Sequence, residues 1–143
     1  FQTPHAVWID TRKPEHELYV ADRSNGQVQV YDLEGGFKRA FGTGPGASWL
    51  HSPSAFAVHG EFMLVVELRG SRVTVLDAED NLVGYLGENT GAFKLQEGWP
   101  NVQRETLTEG KFNSPHGIAT DSAGNIYVAE WLVGGRMVKL AKD

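Results

Sequence analysis

The sequence predicts an all-β fold of repeated four-stranded antiparallel blades, the design of a β-propeller. Three observations predict it. The first is a recurring phrase: Pro4-His5-Ala6-Val7-Trp8-Ile9-Asp10 leads to Leu18-Tyr19-Val20-Ala21-Asp22, and Pro115-His116-Gly117-Ile118-Ala119-Thr120-Asp121 leads to Ile126-Tyr127-Val128-Ala129-Glu130. A copy without the histidine lies between them, Pro53-Ser54-Ala55-Phe56-Ala57-Val58-His59 followed by Met63-Leu64-Val65-Val66-Glu67. Self-similarity at a period of about 40–50 residues marks propellers and solenoids. The second is a series of short β-branched or aromatic runs bounded by Asp, Asn and Gly, the signature of strands and tight turns. The third is that no segment shows sustained helical periodicity.

The elements follow in order. In the first unit, 1–46, residues 6–9, 18–21, 27–31 and 37–41 read as four strands. In the second, 47–111, residues 55–58, 63–66, 72–76 and 82–86 do the same. The stretches 22–42 and 67–87 align without a gap, so that Asp32 meets Asp77 and the closing glycines Gly42 and Gly87 meet each other. The third unit, 112–143, offers strands at 117–119, 126–129 and 136–140 and lacks a fourth. Polar turns such as 22–26, 77–81 and 121–125 join strands, with Asp, Asn and Gly bonding their own backbone or tolerating left-handed φ. The glycines of 42–46 and Trp49 form a modest connection before Pro53. The much longer stretch 88–112, which holds Trp99-Pro100-Asn101, Arg104 and Glu105, has the length of a functional cover or an insertion.

A blade packs on its neighbours, and two blades with three strands of another do not close a ring. The expectation is therefore a part of a six-bladed propeller, or a chain that associates to complete one. A start at Phe1, with neither Met nor leader, fits a processed or excised segment. With 13 Lys and Arg scattered against 18 Asp and Glu, the net charge of −5 leaves no basic stripe for nucleic acid. No apolar run reaches about 18 residues, so no membrane span is expected. The absence of cysteine excludes disulfides and thiolate metal sites.

Chemistry is concentrated in the histidines. In a propeller the first strand of each blade lines the central channel. His5 and His116 start such strands in units one and three, so both imidazoles should emerge at one channel mouth. Neutral imidazole is a common zinc ligand, yet a catalytic zinc takes about three protein ligands, and repeat consensus alone would also produce a Pro-His pair. The other positions read as structural. His59 replaces the aspartate of Asp10 and Asp121 and reads as a turn residue, His51 lies beside the second unit's first strand, and His16 sits in a charged loop. Tyr19 and Tyr127 read as core, and Asp22, Glu67 and Glu130 as acceptors for backbone amides. Arg23, Arg69 and Arg72 face either an anionic ligand or water.

The spans PHAVWID…YVADRSNGQVQVYD and SPHGIATDSAGNIYVAEW resemble NHL-type repeats. More narrowly, they are similar to the peptidyl-α-hydroxyglycine α-amidating lyase family and its bacterial members, with VADRSNGQVQ and AEWLVGGR as the closest phrases. The resemblance implies a six-bladed propeller in which three alternate blades each carry a zinc-binding histidine. His5 would be the second and His116 the third, this chain being the C-terminal half. The first zinc histidine, the catalytic tyrosine and the substrate arginine would then lie on earlier blades. Gly117 stands where animal members carry an acidic calcium ligand, which speaks against calcium. The implied function is part of a zinc-dependent lyase acting on a peptidyl-α-hydroxyglycine or related small carbinol, in an extracytoplasmic setting. The alternative is a non-catalytic module that binds peptide or protein ligands.

Overall fold

The computed structural model describes residues 1–43, 49–95 and 98–142. Its eleven described strands form three antiparallel meanders. The first holds β1 (Pro4–Asp10), β2 (Glu17–Asp22), β3 (Gln27–Tyr31) and β4 (Phe37–Phe41). The second holds β5 (Pro53–His59), β6 (Phe62–Glu67), β7 (Arg72–Leu76) and β8 (Leu82–Leu86). The third holds β9 (Pro115–Thr120), β10 (Ile126–Glu130) and β11 (Arg136–Leu140). Strand order is sequential in each sheet, and β11 is an edge. One four-residue helix, α1 (Ala92–Leu95), falls in the long insertion. The expected blades are present, and the third stops at three strands. Most of the 42–46 connection lies outside the described residues.

Blade packing follows from the pleat. Along β6, Met63 and Val65 enter the core shared with the first blade, while Leu64 and Val66 enter the core shared with the third. A strand buried on both faces needs an unbroken apolar run, which 62–66 supplies. Strand β3 alternates instead, with Val28 and Val30 fully buried and the residues between them half-buried. Leu50 and Phe112, each three residues ahead of a unit's first proline, plug the two interfaces. Gly87, at φ 60°, passes so close to Phe112 that a Cβ would fall 2.5 Å from its ring.

One acidic side chain pins each blade. Asp22, Glu67 and Glu130, at the ends of the second strands, accept the backbone N–H of Gln2, His51 and Asn113. Each of those amides lies two residues ahead of the proline that opens an inner strand, so the carboxylate fixes where that strand begins. The aspartates Asp32, Asp77 and Asp121 each bond the amides two and four residues on, closing the hairpins. His59 ends β5 rather than lying in a turn, and its Nε2–H donates to the carbonyl of Gly124 in the third blade.

Candidate functional site

The inner strands β1, β5 and β9 lie side by side, and the residue after each opening proline is His5, Ser54 and His116 respectively. The two imidazoles meet edge to face, with ring centroids 4.8 Å apart. Ser54 lies between them. Its carbonyl accepts a hydrogen bond from His5 Nδ1 at 3.0 Å, and its hydroxyl donates to the carbonyl of His116 at 3.1 Å. Because a carbonyl can only accept, His5 carries a proton on Nδ1, and Nε2 is the nitrogen left to face a ligand. Metal-ligating histidines are typically oriented by such a bond on the other nitrogen. Burial, followed by the proximity of His5 and Arg23, holds the His116 pKa below its ordinary 6.5. Its ring is therefore neutral at pH 7, the form that binds metal.

These residues fit zinc in part. The Nδ1 bond of His5, the neutral ring of His116 and their convergence suit two imidazole ligands. No group of three His, Cys, Asp or Glu is gathered to hold a metal among the described residues, so a third ligand must come from elsewhere. His16 and His51 are exposed, and His59 is occupied by Gly124.

Arginine dominates the mouth. A cavity of about 730 Å³ between the first two blades is lined by Arg23, Arg69 and Arg72, with Thr3, His51 and Ser52 along its wall. Arg72 is satisfied internally, bonding Glu67, Glu88 and the carbonyl of Trp49. Among the described residues, neither Arg23 nor Arg69 has a carboxylate partner. Burial, and then the charge of Arg69, lowers the Arg23 pKa. The carboxylate that lines the same cavity, Glu88, is engaged by Arg72, so the space holds three guanidiniums against one carboxylate.

Aromatic rings continue the site. His116 meets Trp131, Trp131 meets Trp99, and Trp99 meets Phe93, with centroids 5.1, 5.6 and 5.0 Å apart. The guanidiniums of Arg23 and Arg69 lie over Trp131 and Phe93 at 5.6 and 5.9 Å. The sequence reading put His5 and His116 at one mouth, left the arginines facing an anionic ligand or water, named Trp99 only as part of a possible cover, and singled out neither Ser54 nor Trp131 for the site. A signal was available: Arg23, Arg69 and Trp131 all lie one or two residues past a blade-pinning carboxylate, and Ser54 takes the histidine's place in the middle copy.

An NHL repeat model matches residues 112–134. The human NHL repeat-containing protein 3 is 29% identical over 142 residues, which are 97% of this chain and 35% of that protein. A catalytically inactive virginiamycin B lyase from Staphylococcus aureus, solved with quinupristin, superposes with a TM-score of 0.57 at 10% identity, covering 99% of this chain and 42% of that one. A streptogramin B lyase structure gives a TM-score of 0.53 at 11% identity, over 95% of this chain and 40% of that one. The chain thus spans well under half the length of each. At such identities the solved structures speak to fold alone. The chain carries an NHL repeat at 112–134 and folds as consecutive blades of a β-propeller.

Proposed function

We propose that this chain supplies the two-histidine share of a zinc-dependent, lyase-like site within a longer NHL-type propeller, acting on a peptidyl-α-hydroxyglycine or a related small carbinol. The observation that carries the reading is the His5–Ser54–His116 bracket, which presents two imidazoles from alternate blades at one mouth. Beside them, Arg23 and Arg69 provide charge for the carboxylate that a hydroxyglycine substrate bears. When bound, zinc supplies Lewis acidity toward a hydroxyl or carbonyl of the ligand. The chain's own part is to hold the metal through His5 and His116, to orient a carboxylate with the arginines and to shield one side with Trp131.

Metal analysis of the natural full-length chain tests this. Wild type should retain about one zinc, and either His5→Ala or His116→Ala should weaken retention at least about ten-fold, as loss of one of three ligands would. Unchanged zinc content in the double variant would sink the reading. The 143 residues alone should release negligible glyoxylate from an α-hydroxyglycine peptide. Chelator-sensitive release by this segment would show that no further ligand is required.

One observation favours a second reading, a non-catalytic module that binds peptide or protein ligands: only two candidate ligands gather among the described residues. Peptide binding that persists in chelator and in the double histidine variant would favour the module.

A further inference from the structure

The long insertion and the end of the third blade build a wall that neither the histidines nor the arginines require. Phe93 and Trp99 come from the insertion, and Trp131 follows the blade-pinning Glu130. With His116 and His5 they make an unbroken run of five rings. The wall is fixed in place. Trp99 Nε1–H donates to Ser114 Oγ at 2.8 Å, the amide of Trp131 to the Ser114 carbonyl at 2.8 Å, and the amide of Val133 to the Pro100 carbonyl at 2.9 Å. Its middle ring is bare: Trp131 is 45% exposed, whereas Phe93, Trp99 and the two imidazoles are half-buried. An indole wedged between an imidazole and a guanidinium, held rigid yet left uncovered, is surface prepared for an apolar group.

The arginines say what that group is attached to. Arg23 lies over Trp131 and Arg69 over Phe93, within cation–π range of the wall, and neither guanidinium has a carboxylate partner among the described residues. Glu88, the carboxylate of this cavity, is bound to Arg72, and two neighbouring cations left without a carboxylate partner suit one anion between them. We propose that the mouth selects organic acids with an aromatic or bulky apolar group close to the carboxylate, the acid lying between Arg23 and Arg69 and the apolar group on Trp131 and Trp99. The proposal rests on the anionic reading of the two arginines and names the class of ligand they take. For a hydroxyglycine peptide, the apolar group is the side chain preceding the hydroxyglycine.

Calorimetric titration of the natural full-length chain with three probes tests it: N-acetylphenylalanine, N-acetylglycine and N-acetylphenylalaninamide. N-acetylphenylalanine should bind about ten-fold or more tighter than N-acetylglycine, the gain expected from burying a phenyl ring. Trp131→Ala should bring the two acids to within about three-fold, and Trp131→Phe, which keeps a ring in place, should preserve most of the preference. Arg69→Ala should weaken both acids alike. Equal binding of the two acids by wild type, with the amide excluded, would overturn the aromatic selection while leaving the anionic reading intact. Amide bound as tightly as the acid would remove the anionic reading and the proposal with it, as would the failure of all three to bind. The first comparison uses wild type alone, so a variant that fails to fold does not blunt it.

Discussion

Glu67 shows how much one buried side chain can hold. Fully enclosed, it accepts the His51 amide, the guanidinium of Arg72 and the hydroxyl of Thr74. Glu67→Ala would take from Arg72 the more buried of its two carboxylates and orphan a backbone donor and a buried hydroxyl, at a cost of about 3 kcal/mol. Chemical denaturation should read that loss as a lower midpoint. A second carboxylate, Glu17, is bonded by Arg39, which also reaches Asp80 of the second blade. Hydrogen bonds from Arg39 and then Lys38 pull its pKa from the ordinary 4.5 to about 2 against the opposing effect of burial. A carboxylate held lower in the folded state stabilises fully above its unfolded pKa and loses that contribution as pH falls. Stability should therefore decline from about pH 4.5 toward pH 2, and Glu17→Gln should flatten that limb while lowering stability at neutral pH by about 2 kcal/mol. Thermal melts across the acid range check both.

At the scale of elements, the closing glycines are the tightest points. Gly87→Ala would force a left-handed alanine against the Phe112 ring, and about 1–3 kcal/mol should be lost. The exposed Gly60, with φ 61° and nothing within 4 Å of its would-be Cβ, should lose less, so a melt of the two variants separates packing from backbone strain. Strands were legible because this chain writes them twice: 27–31, 37–41, 72–76, 82–86 and 136–140 coincide with β3, β4, β7, β8 and β11 residue for residue. The inner strands extend further than their apolar runs suggest. Pro4, Pro53 and Pro115 are drawn into them by the carboxylate that holds the amide two residues earlier, a contact between distant strand ends that no local pattern carries. Phe93 and Trp99 were illegible as part of a wall because an insertion has no second copy to be compared with, whereas Trp131 could be found from its place after Glu130.

At the scale of the whole molecule, the two outer faces are unfinished. Phe56 is 5% exposed in the core between the first two blades, and its counterpart Val7 on the first blade's other face is 69% exposed. Ile9 beside it is 52% exposed, and Met137 on the far face of the third blade is 66% exposed. Phe1 stands at 62% exposure where Leu50 and Phe112 each plug an interface. Apolar flanks next to open sheet edges favour association. The isolated 143 residues should accordingly self-associate, and Val7→Glu combined with Met137→Lys should shift light scattering toward monomer. A wild-type monomer across a wide concentration range would contradict this.

The serine between the two histidines makes the mouth a gauge of the scaffold. Its carbonyl grips one blade and its hydroxyl the other, so the spacing of the imidazoles records how three separate sheets are seated. A ligand that engages both rings would rivet the first and third sheets across the second, and its binding energy would become cohesion of the ring. Mutations in the inter-blade cores, far from any ligand, would then loosen that grip without touching it. Conversely, saturating ligand should slow amide exchange in β5, a strand whose own side chains need never meet it.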